Sequence, residues 1–576
     1  MSSAMLHATL PASSSAEQWS SRASPWMHAS QSKVLRGMHA GVQRHILSLR
    51  VAPIFENSMR HTFMDAIRSR RKVGLSRVSM EPSPAVTSEV ISRSDWNRVA
   101  IVLEELRRKC DTPADELLCV LIDGMVEEMK AGLAVEGGSK DYKMILTYVD
   151  KLPSGKERGH FYALDLGGTN FRVLRVHFGG KESQMKDQEY QEVSIPAELM
   201  LGQHEELFDF IAGKLAEFVS KETDAYHPLP GRKRELGFTF SFPIKQTSID
   251  AGTLIKWTKG FAVEGTAGKD VVQALNEAME KRGLDMVVTA LVNDTVGTLA
   301  VASLATQKQD DEVMISVILG TGTNACYVES IDAIPKWEGP KPSSGKMIIS
   351  MEWGGFSSSF LPRTQYDEAL DAASVNPGEQ IYEKLLSGMY LGDVVRRVLL
   401  RLAEEAALFG PTVPSKLLVP FILGTPHVSA MHQDESSDLQ VVGKILGNVL
   451  GIDETSLELR KLVVDICSIV AKRAARLAGA GIVGILKKIG RDGTKQDSSA
   501  TQNKRTVVAM DGGLYEHYPW FRAELKAAVA ELLGSEVAKN VVIELSKDGS
   551  GIGAALLAAA HSRYGLFPFK YANMRA

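Results

Sequence analysis

The chain has 576 residues, too many for one ordinary domain and enough for two sizeable cores. Its 44% hydrophobic and 23% charged residues are those of a soluble globular protein, and a net charge of −3 argues against a general nucleic-acid binder. Four cysteines at unrelated spacings, with no CxxC pair, argue against structural zinc and a disulfide framework and fit a reducing compartment.

Residues 1–80 stand apart. They are rich in arginine and serine, and Glu17, Glu56 and Asp65 are their only acids. A cationic, weakly structured segment of this kind has the composition of a transit peptide. It has no long apolar core, so it reads as neither a signal peptide nor an anchor. A plain disordered tail and a nuclear address at RSRRK, residues 68–72, are the alternatives. Composition leaves plastid and mitochondrion open. The longest apolar run, 477–486, falls short of the roughly 20 residues of a bilayer helix and is expected to be a buried core helix.

Residues 95–129 carry helical periodicity. HFYALDLGGTNFRVLRVHF, 160–178, reads as strand, two-glycine turn, strand. Gly167 and Gly168 permit a close backbone approach, and with Thr169 and Asn170 they can form an anion-binding nest. Asp165, at the strand end, is placed to hold Mg²⁺ through water. An ordinary hairpin would look the same. Residues 205–221 form an amphipathic helix.

LGFTFSFPIKQTSIDAGTLIKWTKGF, 236–261, begins as a buried strand that Pro243 ends, with Ser241 at its exit. Thr258 and Lys259 follow beside Trp257. Hydroxyl and ammonium donors against an aromatic wall suit a polyhydroxylated ligand, although a strand with a polar loop explains them equally. A helix is expected over 267–282, and a buried strand from 286 runs into Asn293 and Asp294. Asp294 is either a helix cap or a functional carboxylate.

A strand over 312–319 closes on Gly320, Thr321 and Gly322, a second turn able to cradle phosphate. MIISMEWGGF brings Glu352. In NPGEQIYEK, 376–384, Pro377 and Gly378 are expected to start a helix carrying Glu379 and Glu383. Helices continue to 490, and a polar linker spans 491–504. VVAMDGGLYEHYP, 507–519, gives a third strand and a turn at Asp511, Gly512 and Gly513. Residues 548–560 open the last helix. GTGTNA and GSGIGA both fit GxGxxA, but the first leads into a strand and the second lies too near the C-terminus for a βαβ unit. With no GxxxxGK[ST] present, Rossmann and P-loop readings both fail.

Together these segments resemble the hexokinase family over roughly residues 95–563. The 236–261 stretch is similar to its sugar-binding signature, LDLGGTNFR to its first phosphate motif, ILGTGTNA to its second and AMDGGLY to its adenosine motif. LVNDTVGT, MEWGGF and NPGEQIYEK also match in order, and spacers such as KLPSG and SGMYLG look like those of plant members.

The resemblance implies an α/β, two-domain actin-like ATPase (ribonuclease H-like) fold around a cleft. An N-terminal region, 95–295, would contain the small domain at about 159–290. A C-terminal region, 296–563, would form the large domain with 95–150, its last helix returning to the small one. Ser241, Thr258, Lys259, Asn293, Asp294, Asn324, Glu352 and Glu383 would contact the hexose, with Asp294 as base and Lys259 assisting. Asp165, Gly167, Gly168, Thr169, Asn170, Gly320, Thr321, Gly322, Asp511, Gly512 and Gly513 would meet ATP, whose Mg²⁺ would have no direct protein ligand.

The implied reaction is phosphorylation of glucose, fructose or mannose at the 6-hydroxyl by a monomer. The location implied is the plastid, with mitochondrion or cytosol as alternatives. A non-catalytic glucose-binding regulator and an actin-like ATPase without a sugar substrate are the competing readings. Lys547 departs from the family, where an acid or amide is more usual.

Overall fold

The computed structural model describes residues 93–167, 170–180, 185–223, 226, 228, 230–257, 261–306, 311–494, 504–547 and 549–564. The 1–80 segment, Gly168, Thr169, Thr258, Lys259 and most of the 491–504 linker lie outside them.

The chain opens with helices α1 (Arg93–Cys110) and α2 (Cys119–Ala134). The helical stretch expected over 95–129 is interrupted at Pro113, which lacks an N–H and disfavours helical backbone in the residue before it. A π-turn over Ala114–Leu118 restarts it. Strand β1 (Ile145–Leu146) follows. Strands β2 (Arg158–Leu166), β3 (Asn170–Gly179) and β4 (Met185–Ser194) then form an antiparallel meander. β4 is the exposed edge and carries Lys186, Asp187, Glu189 and Glu192, which discourage edge pairing.

Helix α3 (His204–Val219) leads to β5 (Arg234–Phe240), and Pro243 separates β5 from the hairpin β6 (Ile244–Ser248) and β7 (Ala251–Leu254). Helix α4 (Val271–Lys281) starts later than expected because Asp270 caps it, accepting from Val272 N at 2.8 Å and Gln273 N at 2.9 Å. Strand β8 (Met286–Val292) completes a five-stranded sheet ordered β4-β3-β2-β5-β8, with β2, β5 and β8 parallel. One face packs on α3 and α4 through Leu164, Phe238, Leu207 and Leu275.

Helix α5 (Asp294–Ala305) crosses to the second sheet, formed by β9 (Asp311–Leu319), β10 (Thr323–Ser330), β11 (Lys346–Ser350), β12 (Arg505–Asp511) and β13 (Val541–Leu545) with β1. Its order is β1-β11-β10-β9-β12-β13. Around it lie α6 (Ile381–Leu386), the long α7 (Leu457–Lys488) and α8 (Gly513–His517). In α7 the 477–486 run is buried in the core as expected, and among the described residues no helix is long and apolar enough to cross a membrane.

The last helix, α9 (Gly549–Ala560), covers the other face of the first sheet, where Phe161, Ala163, Val176 and Ala290 join its Ala554 and Ala558. The contact is backbone to backbone. A Cβ on Gly237 of β5 would fall 2.1 Å from the Ala554 carbonyl oxygen.

Candidate functional site

Parallel strands β5 and β8 run side by side to the register Thr239↔Val292, so their exits, Ser241 and Asn293–Asp294, are neighbours. Ser241 N donates to Leu166 O at 3.2 Å, tying this edge to the end of β2. Asn293 caps α5. Its Oδ1 accepts from Thr295 Oγ1 at 2.6 Å and Thr295 N at 3.1 Å. Asp294 is therefore the first residue inside the helix, half-buried, and its Oδ1 accepts from Thr295 N at 2.8 Å.

Across from β8, Asn324 of β10 gathers three partners. Its Nδ2 donates to Glu352 Oε1 at 2.7 Å, Ser350 Oγ at 3.3 Å and Asn293 Oδ1 at 3.4 Å. Glu352 follows β11 in a left-handed conformation, φ 56°, a strained position for a non-glycine residue. Glu383, on α6, accepts from Thr323 N at 2.9 Å. Gly322 lies close against it: a Cβ there would meet Glu383 Oε2 at 2.6 Å and would require that carboxylate to shift. Asn293, Asn324, Glu352 and Glu383 are thus joined through one short stretch, Thr323–Asn324, next to Asp294.

The second cluster is built from glycine turns. Gly320 N donates to Gly322 O at 3.0 Å, and the turn is braced by Gly388 N to Gly320 O at 2.8 Å and Met389 N to Thr321 O at 3.1 Å. Gly512, at φ 101°, ends β12 against it, and a Cβ there would sit 2.5 Å from the Leu319 carbonyl carbon. Asp511 holds its own turn through Gly512 N at 2.7 Å and accepts from Gly549 N at 3.3 Å. Asp165 accepts from Arg172 Nη2 and Ser550 Oγ, each at 2.7 Å. The start of α9 therefore touches both Asp165 and Asp511. Asn170 faces the β4 edge, bonded to Glu192 at 2.6 Å and Ser194 at 2.9 Å. Lys547 pairs with Glu516 at 2.9 Å.

The helix expected from Pro377 begins only at Ile381. Gly378 (φ 79°) and Gln380 (φ 54°) are left-handed, so Glu379 lies in the preceding turn. Gln380 carries a signal that spacing could not give. Its carboxamide Oε1 is buried without a hydrogen-bond partner, and a Cβ on Gly354, two residues after Glu352, would lie 2.9 Å from it. A buried acceptor without a partner is uncommon in a folded chain, and this one lies beside the backbone that follows Glu352. Ser550 is the other residue that sequence reasoning passed over. Cys326, two residues beyond Asn324, is fully buried, and burial pushes its thiol up to about 12, which leaves it a packing residue.

Two family models described as hexokinase match residues 102–304 and 314–560. Hexokinase-1 of Spinacia oleracea is 59% identical over 479 residues, covering 83% of this chain and 94% of the relative. Hexokinase-2, chloroplastic, of Nicotiana tabacum is 59% identical over 501 residues, covering 84% and 98%. The structure of a Schistosoma mansoni hexokinase complexed with glucose superposes with a TM-score of 0.69 at 37% identity, covering 81% of this chain and 99% of that one. The fold is thus the expected α/β, two-domain actin-like ATPase fold. The chain belongs to the hexokinase family, enzymes that phosphorylate hexoses at the expense of ATP.

Proposed function

We propose that this chain transfers the γ-phosphoryl of ATP to the 6-hydroxyl of glucose, and of fructose and mannose, with Asp294 as general base. The observation that carries the reading is the bonded group Asn293, Asn324, Glu352 and Glu383 beside the half-buried Asp294. Its carboxylates and carboxamides are acceptors and donors suited to the hydroxyls of a sugar. Ser241, Gln380, Thr258 and Lys259 complete the set. The glycine turns at 320–322 and 512–513 would offer backbone N–H groups to the nucleotide phosphates, with Gly167, Gly168, Thr169 and Asn170 assigned the same role. The smaller domain, about 159–290, and the larger, 296–563 with 95–150, would close on the sugar and exclude water as a competing acceptor.

Among the described residues, no three or more His, Cys, Asp and Glu side chains are grouped to hold a metal ion. Mg²⁺ typically keeps several waters and takes one or two carboxylates plus substrate phosphates, so this donor set is compatible with an ion arriving on the nucleotide. Asp165 would hold it through water. Bound there, it would neutralise charge on the β- and γ-phosphates.

A general base contributes about 10²–10⁴-fold. Asp294→Ala should therefore lose at least that much sugar phosphorylation while still binding glucose, measured by coupled assay and by calorimetry. Turnover near that of the unmodified enzyme would remove Asp294 from this role. The chloroplastic relative from tobacco and the arginine- and serine-rich start of the chain support a plastid location. A fluorescent fusion of residues 1–80 that stays outside plastids would overturn it.

A further inference from the structure

An ion pair on the surface joins the segment after β7 to the turn before α6. Lys256 Nζ lies 3.0 Å from Glu379 Oε2, and the two side chains are 54% and 56% exposed. Lys256 follows β7 and immediately precedes Trp257, Thr258 and Lys259. Glu379 immediately precedes Gln380, four residues before Glu383. The pair therefore links the two segments that carry the proposed sugar contacts on opposite lobes.

Both ends are held by packing. On the first lobe, Ile255 N donates to Pro243 O at 2.9 Å and Trp257 Nε1 to Val263 O at 3.1 Å. The Trp257 ring stacks on Phe261 at 5.2 Å and meets Phe242 edge-on at 4.9 Å. On the second lobe, the buried ammonium of Lys384 bonds Asp371 at 2.6 Å, Asn376 O at 2.7 Å and Ser374 Oγ at 2.9 Å. The same Asp371 carboxylate accepts Gly378 N at 3.1 Å, and Glu379 N reaches Asn376 O at 3.2 Å. A surface pair is usually weak because two mobile side chains must be ordered in water. Here both backbones are ordered, so the cost is confined to the two side chains, and the pair stays within the range of an exposed one.

We propose that Lys256 and Glu379 are a positioning pair for the hexose. They hold the chain at Lys256 and Trp257 against the turn at Glu379 and Gln380, and so make hexose affinity depend on ionic strength. The proposal rests on the sugar-kinase reading above. Neither residue needs to touch sugar or nucleotide, so kcat and the KM for ATP should stay unchanged.

The test is a charge cycle on the full chain. Lys256→Gln and Glu379→Gln should each raise the KM and Kd for glucose about two- to five-fold at low salt, the effect of an exposed pair at the upper end of its range. The double variant should be no worse than either single one. Reversing the pair, Lys256→Glu with Glu379→Lys, should recover most of the loss. At about 0.5 M salt, where charges are screened within several ångströms, all forms should converge.

Additive losses in the double variant, or a reversed pair as weak as the single ones, would overturn the proposal. Glucose binding followed by the fluorescence of Trp257 and its neighbours tests the pair even if turnover is absent. An unmodified enzyme that phosphorylates no hexose would count against the functional reading, whereas normal turnover with a KM indifferent to both charges would count against the ion pair alone.

Discussion

Gly553→Ala places one methyl group where α9 crosses α5. The new Cβ would lie 2.1 Å from the Gly297 carbonyl oxygen, 2.3 Å from its carbon and 2.4 Å from its Cα. Such contacts are essentially never seen below 3.0 Å, so the helices would have to part by roughly 0.9 Å. The obstacle is main chain and cannot swing aside. Overpacking of this kind costs about 1–3 kcal/mol.

The catalytic effect should be larger, because Gly297 is one turn beyond Asp294 and Ser550 at the head of α9 is bonded to Asp165. A 1 Å misplacement can reduce turnover by about 10²-fold. Coupled-assay kcat/KM and the urea midpoint should both fall. Gly124→Ala in α2 is the control: its Cβ would meet only Phe356 Cζ, at 3.8 Å, and removing a mid-helix glycine should be neutral or stabilising by about 0.5–1 kcal/mol. Gly553→Ala with unchanged kcat/KM and midpoint would refute the reasoning.

Two further outcomes concern stability and pH. Arg473 is fully buried and bonds Asp367 through two nitrogens, at 2.6 and 2.8 Å. Arg473→Met strands that carboxylate and should cost about 3–5 kcal/mol in denaturant unfolding, whereas a loss under 1 kcal/mol would show the pair to be dispensable. His432, packed on Trp520 and bonded to Tyr518, has its pKa pushed down by burial to about 4. An unfolded histidine titrates near 6.5, so between about 6.5 and about 4 the unfolded chain binds a proton that the native one does not, and stability should decline as pH falls through that window. The pKa of His160 is lowered to about 4 as well, so His432→Phe should reduce the slope in that window without abolishing it, and an unchanged slope would exclude His432 as a contributor.

Motifs that sit at strand ends were readable because their chemistry is local. A glycine pair after a buried apolar run marks a turn, and Asn293–Asp294 after MVVTALV marks a strand handing over to a helix. The break at Pro113 follows an equally local rule that helical periodicity overrode. What escaped depends on pairings far apart in the chain. The Asp165–Ser550 bond spans 385 residues and the Lys256–Glu379 pair 123. Glu379 was expected inside a helix and Gln380 was passed over, because the left-handed turn that precedes α6 is stabilised by Asp371 and Lys384, which no periodicity reveals.

The backbone contact between α9 and the first sheet also sets an order of events during synthesis. The five strands of that sheet are all translated by Val292, yet the helix that seals their second face begins at Gly549. At about 5–20 residues per second, roughly 250 intervening residues hold that face open for roughly 10–50 s. Phe161, Ala163, Val176 and Ala290 stay uncovered through that interval. A nascent chain arrested before α9 should therefore engage chaperones or aggregate rather than wait as a finished N-terminal half.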